Sequence, residues 1–332
     1  MQRPDPVKLD KGVFVISLDF ELIWGTLDLF GPEGFQRACE IERERVIDEL
    51  LSLFVEFEFP ATWCVLGHLF LDRCELKDGI MHPQIIRPKH AWVEGDWFKH
   101  LKPHSEDEKS IFLGRSLVEK IRSCSVPQEI GSHSFSHVIF ADEGCSRETA
   151  MSEMKECVRL ANEMGIELRS FAFPRNEVGH IEVLRETGFA CYRGPEPNWY
   201  ESPKVPESLK RILRLVDVLR AAKPPVVLPE KTADGLWNIP GSAIYFPMHG
   251  VRRHIPLSLR VKRAVKGLNA AAQEKKIFHL WFHPTNMADE ADAMFAGLRQ
   301  ILEHADALKE RGELRYATMK ELVQSPKSKV QS

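Results

Sequence analysis

Two histidines, two carboxylates and a third, late histidine carry most of the chemistry available to this sequence. His133-Ser134-Phe135-Ser136-His137 sets two imidazoles at i and i+4, a spacing that puts both rings on one face of a helical turn. Neutral imidazole is a common Zn²⁺ ligand, and two from one turn supply half of a tetrahedral site. Far upstream, Asp19-Phe20-Glu21 places two acids on the same side of an extended chain. One of them would complete a site of two histidines and a carboxylate with a position open to water. The other, beside that water, would be a natural general base. His283 closes the run Ile277 to Phe282, where a weakly basic imidazole can act as general acid. Each group also has a bland reading: histidines on a helix face, a solvated acid pair, an aspartate capping a helix.

Elements that would bring these groups to one place are visible around them. Val13 to Leu18 is a continuous apolar run, the pattern of a buried strand, and the acids follow it at once with Trp24-Gly25 next. Gln128 to Ser132 reads as a short strand ending at the histidine pair. In the last of these strands His279, Trp281 and His283 share one face, and Leu280 and Phe282 the other. Of its two histidines, His283 is the catalytic candidate and His279 is read as bonding backbone. Between them, helical periodicity over 35–57, strand patterns at 61–67, 168–173 and 189–192, and helices at 105–124, 146–164 and 178–187 alternate as a parallel α/β fold requires. Ser105-Glu106-Asp107-Glu108 reads as a capping box. The sequence then continues with a helix near 207–222, another over 257–276, an amphipathic helix over 287–309, a closing strand at 314–317 and a last short helix capped by Thr318. Residues 75–104 are irregular, and Pro83, Pro88 and Pro103 exclude a long helix there. With His82, His90, His100, His104, Trp92 and Trp97 this stretch reads either as the rim of a sugar cleft or as a packed surface loop. His68, just past the second strand, reads as a supporting or helix-capping group. Ten prolines break the rhythm over 194–256, which is expected to be an excursion over the barrel mouth without a core of its own.

Taken together, Ser17-Leu18-Asp19-Phe20-Glu21, His133 to His137, an aromatic-proline loop at Phe173-Pro174 and the late His283-Pro284 resemble, in order, the motifs of polysaccharide deacetylases of the NodB-homology class, a carbohydrate esterase family 4-like group. The resemblance spans about residues 12–324. It implies a distorted (β/α) barrel of about seven parallel strands and metal-dependent removal of an N- or O-acetyl group from a carbohydrate. Carried over residue by residue, Asp19 is the base, Glu21, His133 and His137 hold a divalent metal, Zn²⁺ by its donor set, and Arg175 is the candidate to orient the base. Trp24, Phe173, Pro174 and Trp281 are the candidate substrate contacts. The pattern departs from the family in three places. Its adjacent acid pair is here split by Phe20. Its Arg-x-Pro motif is here Phe173-Pro174-Arg175, with the arginine beyond the proline. Its Asp-Trp motif has no clear counterpart.

The 332 residues, 43% of them hydrophobic, suffice for one large barrel: a tail over 1–11, one unit over 12–324 and a polar tail over 325–332. A net charge of −3 gives no global field for nucleic acid. Seven cysteines without a CxxC pair indicate reduced thiols, and Met1 to Pro6 lacks an apolar signal core, so a cytoplasmic location is expected. No run is long enough to span a bilayer. Arg252, Arg253, Arg260, Lys262, Arg263 and Lys266, within the acid-free stretch 251–267, are read either as a solvated helix face or as a patch for anionic lipid headgroups or a diphosphate-linked sugar. The substrate could be nucleotide-, lipid- or polymer-linked. Two rivals stand beside this reading: hydrolysis of a non-sugar amide on the same fold, and a non-catalytic carbohydrate-binding protein.

Overall fold

The computed structural model describes residues 8–107, 109–201 and 205–323; the remainder of both expected tails, including residue 324, lies outside them. Its frame is a curled, mostly parallel sheet with helices outside. The strands are β1 (Gly12–Phe20), β2 (Thr62–Val65), β3 (Glu129–Ser132), β4 (Ser170–Ala172), β5 (Cys191–Arg193), β6 (Trp237–Asn238), β7 (Ala243–Ile244), β8 (Ile277–Phe282) and β9 (Leu314–Tyr316). Their order is β6-β5-β4-β3-β2-β1-β8-β7, with β9 beside the start of β1. All nine residues of β1 are buried. That is why its sequence is a continuous apolar run rather than an alternation.

Register aligns the strand ends. Phe20 pairs with Val65, and Val65 with Ser132, so Glu21 and His133 leave the sheet at one level. Leu18 opposite Phe282 brings His283 to the same rim as Asp19, and Ala172 opposite Arg193 extends that rim across β4 and β5. Carboxyl ends of parallel strands are where such folds keep their chemistry.

The excursion over 194–256 does more than cover the barrel. It supplies β6 and β7, and between them Gly241 donates to Gly194 O (3.0 Å) and Ser242 to His279 O (2.8 Å), carrying the chain across the gap in the sheet. Among the described residues, and counting these two-residue strands, nine strands pair in parallel rather than about seven. Strands this short and proline-flanked leave no periodicity to read. Past α1 (Trp24–Phe30), the expected helix over 35–57 is interrupted: α2 (Gln36–Ile41) passes through a π turn (Glu42–Val46) into α3 (Ile47–Glu56). The expected helix over 105–124 shrinks to α4 (Arg115–Arg122). Glu106 instead binds the guanidinium of buried Arg43 (2.7 Å) and the hydroxyl of Ser116 (2.5 Å), a tertiary ion pair that outcompetes the capping box; Glu108 lies outside the described residues. Ser146 Oγ accepts from Thr149 N and caps α5 (Arg147–Glu163), and the expected cap Thr318 bonds reciprocally with Glu321 at the last short helix (Met319–Val323).

Candidate active site

The histidine pair does not sit on a helix. His133 to His137 is a loop in which Ser134 and His137 both take positive φ (64°), and these reversals aim the two rings inward. The loop is held from behind by α5: Glu153, fully buried, accepts from the amides of Phe135 (2.9 Å) and Ser136 (2.8 Å) and from Ser136 Oγ (2.6 Å). Burial pushes the Glu153 carboxyl up to about 7 even though those donors oppose the shift.

Glu21 Oε2 lies 3.0 Å from His133 Nε2 and 3.2 Å from His137 Nε2, with all three side chains buried. His133 Nδ1 donates to Ala172 O (2.8 Å), which turns Nε2 toward the carboxylate. The described hydrogen bonds leave Glu21 Oε2 and His137 Nδ1 without a partner. A buried carboxylate oxygen facing two imidazole nitrogens needs a shared cation, either protons on the rings or a metal. The donor set, one carboxylate and two histidines with the ligand atoms within 4.8 Å of one another, fits a divalent ion of the zinc type. Burial pushes the Glu21 carboxyl up, but the charges of His283 and His137 and the two loop imidazoles beside its Oε2 outweigh it, and the net shift is well downward. Burial lowers the affinity of His133 for a proton, while Asp19 and Glu21 reverse that, so its pKa rises.

Asp19 has a different partner. Arg193, at the end of β5, grips it with two parallel bonds, Nη1 to Oδ1 at 2.7 Å and Nη2 to Oδ2 at 2.6 Å. The same guanidinium bonds Ser17 Oγ (3.0 Å) and Asn176 Oδ1 (2.9 Å) and lies over the ring of Trp281, 4.5 Å from its centroid. Burial raises the Asp19 pKa, and the Arg193 charge, aided by His133, more than offsets it. His283, the most open member, has Nε2 3.4 Å from Glu21 Oε1 and 3.7 Å from Asp19 Oδ2.

Of the residues expected from sequence, Asp19, Glu21, His133, His137 and His283 come together. Arg175 does not reach Asp19. Its guanidinium pairs with Asp28 and lies over Trp92, because two successive left-handed residues, Arg175 and Asn176, turn Arg175 outward and Asn176 toward Arg193. Trp24, Phe173 and Pro174 are buried rather than presented to a ligand. Trp24 Nε1 donates to Phe112 O (3.2 Å), and the Phe173 ring packs on Phe171, Phe140 and Tyr192. Trp281 is half-buried under Arg193 and donates to Glu196 (3.2 Å). His279 is buried and bonds Ser17 Oγ (2.8 Å) and Pro240 O (3.2 Å), and burial takes it down to about 3. Trp97 ties the irregular loop to the histidine loop through Ser136 O (3.1 Å), while Trp92 stands 42% exposed and is the aromatic of that loop left for a rim role. The cationic stretch over 251–267 is dispersed. Arg260 is buried on the carbonyls of Phe246 and Arg252, Arg263 is buried, and Lys266 donates to Ala221 O; Arg252, Arg253 and Lys262 remain exposed.

Sequence reasoning missed Arg193, although a charged residue ending the apolar run 189–192 was the signal that singled out Asp19. It also missed Glu42. The π turn buries this acid against Thr285, just past His283, where burial raises its pKa to about 8 against the pull of the Thr285 bond, with the Glu21 charge adding to the rise.

No family model and no curated protein matches the sequence. In three dimensions the chain is similar to an inferred polysaccharide deacetylase from Mycobacterium smegmatis, with TM-score 0.64 and 14% identity over 98% of this chain and 94% of that one. It is similar as well to an inferred polysaccharide deacetylase from Pseudomonas aeruginosa PAO1, with TM-score 0.58 and 13% identity over 94% and 89% of the two chains. A PuuE allantoinase is also similar, with TM-score 0.59 and 12% identity over 94% and 89%. At these identities the likeness is one of fold, the distorted (β/α) barrel of the deacetylases.

Proposed function

We propose that this chain, with its deacetylase-type barrel, is a metal-dependent hydrolase that removes an acetyl group from a carbohydrate. The observation that carries the reading is the division of labour between the two acids. Glu21 faces the imidazoles of His133 and His137, with His283 Nε2 3.4 Å from its other oxygen, whereas Asp19 is gripped by the guanidinium of Arg193. Glu21, His133 and His137 would hold the ion, Zn²⁺ by donor type. A divalent ion there supplies Lewis acidity to an acyl carbonyl and makes water more acidic. Asp19 accepts the water proton on a carboxylate oxygen. Arg193 keeps that carboxylate ionised and fixes its direction through the two-pronged bond. His283 Nε2, at the open side, delivers a proton to the leaving nitrogen or oxygen. Seven free thiols support work in a reducing compartment, the cytoplasm.

One observation favours a second reading, hydrolysis of a non-sugar amide. The allantoinase has a similar fold, and the aromatic side chains expected to stack on a sugar are buried here, apart from Trp281 and Trp92. The deciding experiment loads the chain with Zn²⁺ and follows acetate release from N- and O-acetylated sugars beside product formation from linear and cyclic amides. Acetate from sugars supports the proposal, amide products alone support the second reading, and a metal-loaded chain inert toward both overturns the two together and leaves a carbohydrate-binding role.

A further inference from the structure

We propose that His68, Cys74 and His82 form a second metal site, built for a zinc- or copper-type ion and separate from the one around Glu21. His68 sits in the turn Gly67–Phe70 directly after β2. Cys74 lies in the segment Arg73–Cys74, paired antiparallel with His104–Ser105, and His82 follows the hairpin of Leu76–Lys77 and Ile80–Met81. One stretch of chain thus folds back to bring the three side chains together, and they are buried, with residue exposures of 0%, 1% and 7%.

The three donor atoms stand about as close as ligands in a coordination shell, two of the pairs a few tenths of an ångström closer. His68 Nε2 and His82 Nε2 are 3.0 Å apart, and Cys74 Sγ is 3.6 Å from the first and 3.2 Å from the second. Tetrahedral bonds of about 2.0–2.3 Å to nitrogen and sulfur put neighbouring donors roughly 3.3–3.6 Å apart. Two further features fit. His68 Nδ1 donates to Phe112 O (2.8 Å), so Nε2 offers its lone pair inward, the orientation a ligating histidine needs. His82 takes φ 46°, a left-handed conformation costly for a non-glycine residue, and that reversal points its ring at the other two. Met81 Sδ, 3.0 Å from Cys74 Sγ, adds a soft sulfur at the edge. Thiolate, thioether and imidazole select zinc or copper over magnesium, calcium or manganese.

Loading the site is an acid–base step without electron transfer. The Cys74 S–H bond breaks, the proton goes to solvent, and a sulfur–metal bond forms. The ion's work is positional. Gly67 N donates to Ser134 O (2.7 Å) and His68 N to Phe135 O (2.9 Å), and the Phe135 ring lies 5.6 Å from the His68 ring and 5.1 Å from that of His82. On the other side the Trp24 ring lies 4.7 Å from His68. The cluster therefore braces the loop that carries His133 and His137, beside the hold that Glu153 has on the same loop.

The test strips the full chain with a chelator and titrates it with Co²⁺, whose bond to a thiolate gives a near-ultraviolet charge-transfer band. The wild type is expected to develop this band to one equivalent. His133→Ala, which alters only the sulfur-free cluster, keeps it, and Cys74→Ser, close in shape, loses it. Competition by Zn²⁺ and by Cu⁺ then identifies the ion. A wild-type chain that binds Co²⁺ without a thiolate band, or a band that survives in Cys74→Ser, overturns the proposal and leaves a hydrogen-bonded triad. Should Cys74→Ser fail to fold, the wild-type spectrum still decides, and neither result depends on hydrolysis at Glu21.

Discussion

Replacing Arg193 by Met should disable Asp19 while leaving the metal ligands in place. The guanidinium supplies both strong bonds to Asp19, and the two side chains are 1% and 3% exposed, so water cannot substitute for it. Removing one partner of a buried pair typically costs about 3–5 kcal/mol, unless the stranded group neutralises itself. Asp19 can do so by taking a proton. Its pKa lies below 3.8 chiefly because Arg193, aided by His133, outweighs burial, and removing Arg193 tips the balance back toward burial. In the wild type the depressed pKa contributes stability above pH 3.8 that is lost as pH falls through the folded value. In Arg193→Met the sign reverses, and the variant loses stability as pH rises above the new, higher pKa. The acid limb of the kcat/KM profile should move to higher pH, and neutral-pH turnover should fall by about a hundredfold, the loss of a positioned base. Arg193→Lys keeps the charge but not the fork and should fall between the two. The assay is a kcat/KM profile beside melting curves over the same pH range, with metal content as the control. An unmoved acid limb with wild-type turnover would refute the claim that Arg193 holds the base.

Three further outcomes are expected. A methyl group at Gly25 would stand 1.8 Å from Glu21 Oε1, so Gly25→Ala must displace that carboxylate, and metal titration should show weakened binding with helix content intact. His133→Ala and His137→Ala should each lose bound metal while the fold survives; a full equivalent retained in both by elemental analysis would sink the assignment. Glu153, with its pKa raised to about 7 from 4.5, contributes stability that is full below pH 4.5 and lost as pH rises through 7. Glu153→Gln should flatten that slope in melting curves, and an unchanged slope would count against it.

Much of the site was legible because buried parallel strands end abruptly in polar residues. Asp19, Glu21, His133 and His283 each follow an apolar run, and the register between strands does the rest. The histidine spacing misled in its detail: i and i+4 suggested a helical turn, yet left-handed Ser134 and His137 bring the rings together from a loop. Arg175 was favoured for its place beside Pro174, while the arginine that reaches Asp19 comes from the next strand, a choice fixed by backbone reversal at Arg175 and Asn176. The π turn at Glu42 and the two-residue strands β6 and β7 have no periodic signature, and the His68 cluster joins positions whose nearness depends on one small hairpin and a two-residue antiparallel pairing.

The central claim, that Asp19 moves a proton and Glu21 holds a metal, is tested most directly by turnover of Asp19→Asn and Glu21→Gln over a range of added metal. Asp19→Asn should bind metal as the wild type does and stay at least about a hundredfold slower at every concentration. Glu21→Gln should bind weakly and recover part of its activity as metal is raised. Rescue of Asp19→Asn by metal, with Glu21→Gln slow at all concentrations while metal-loaded, would show that the two acids have been given each other's work.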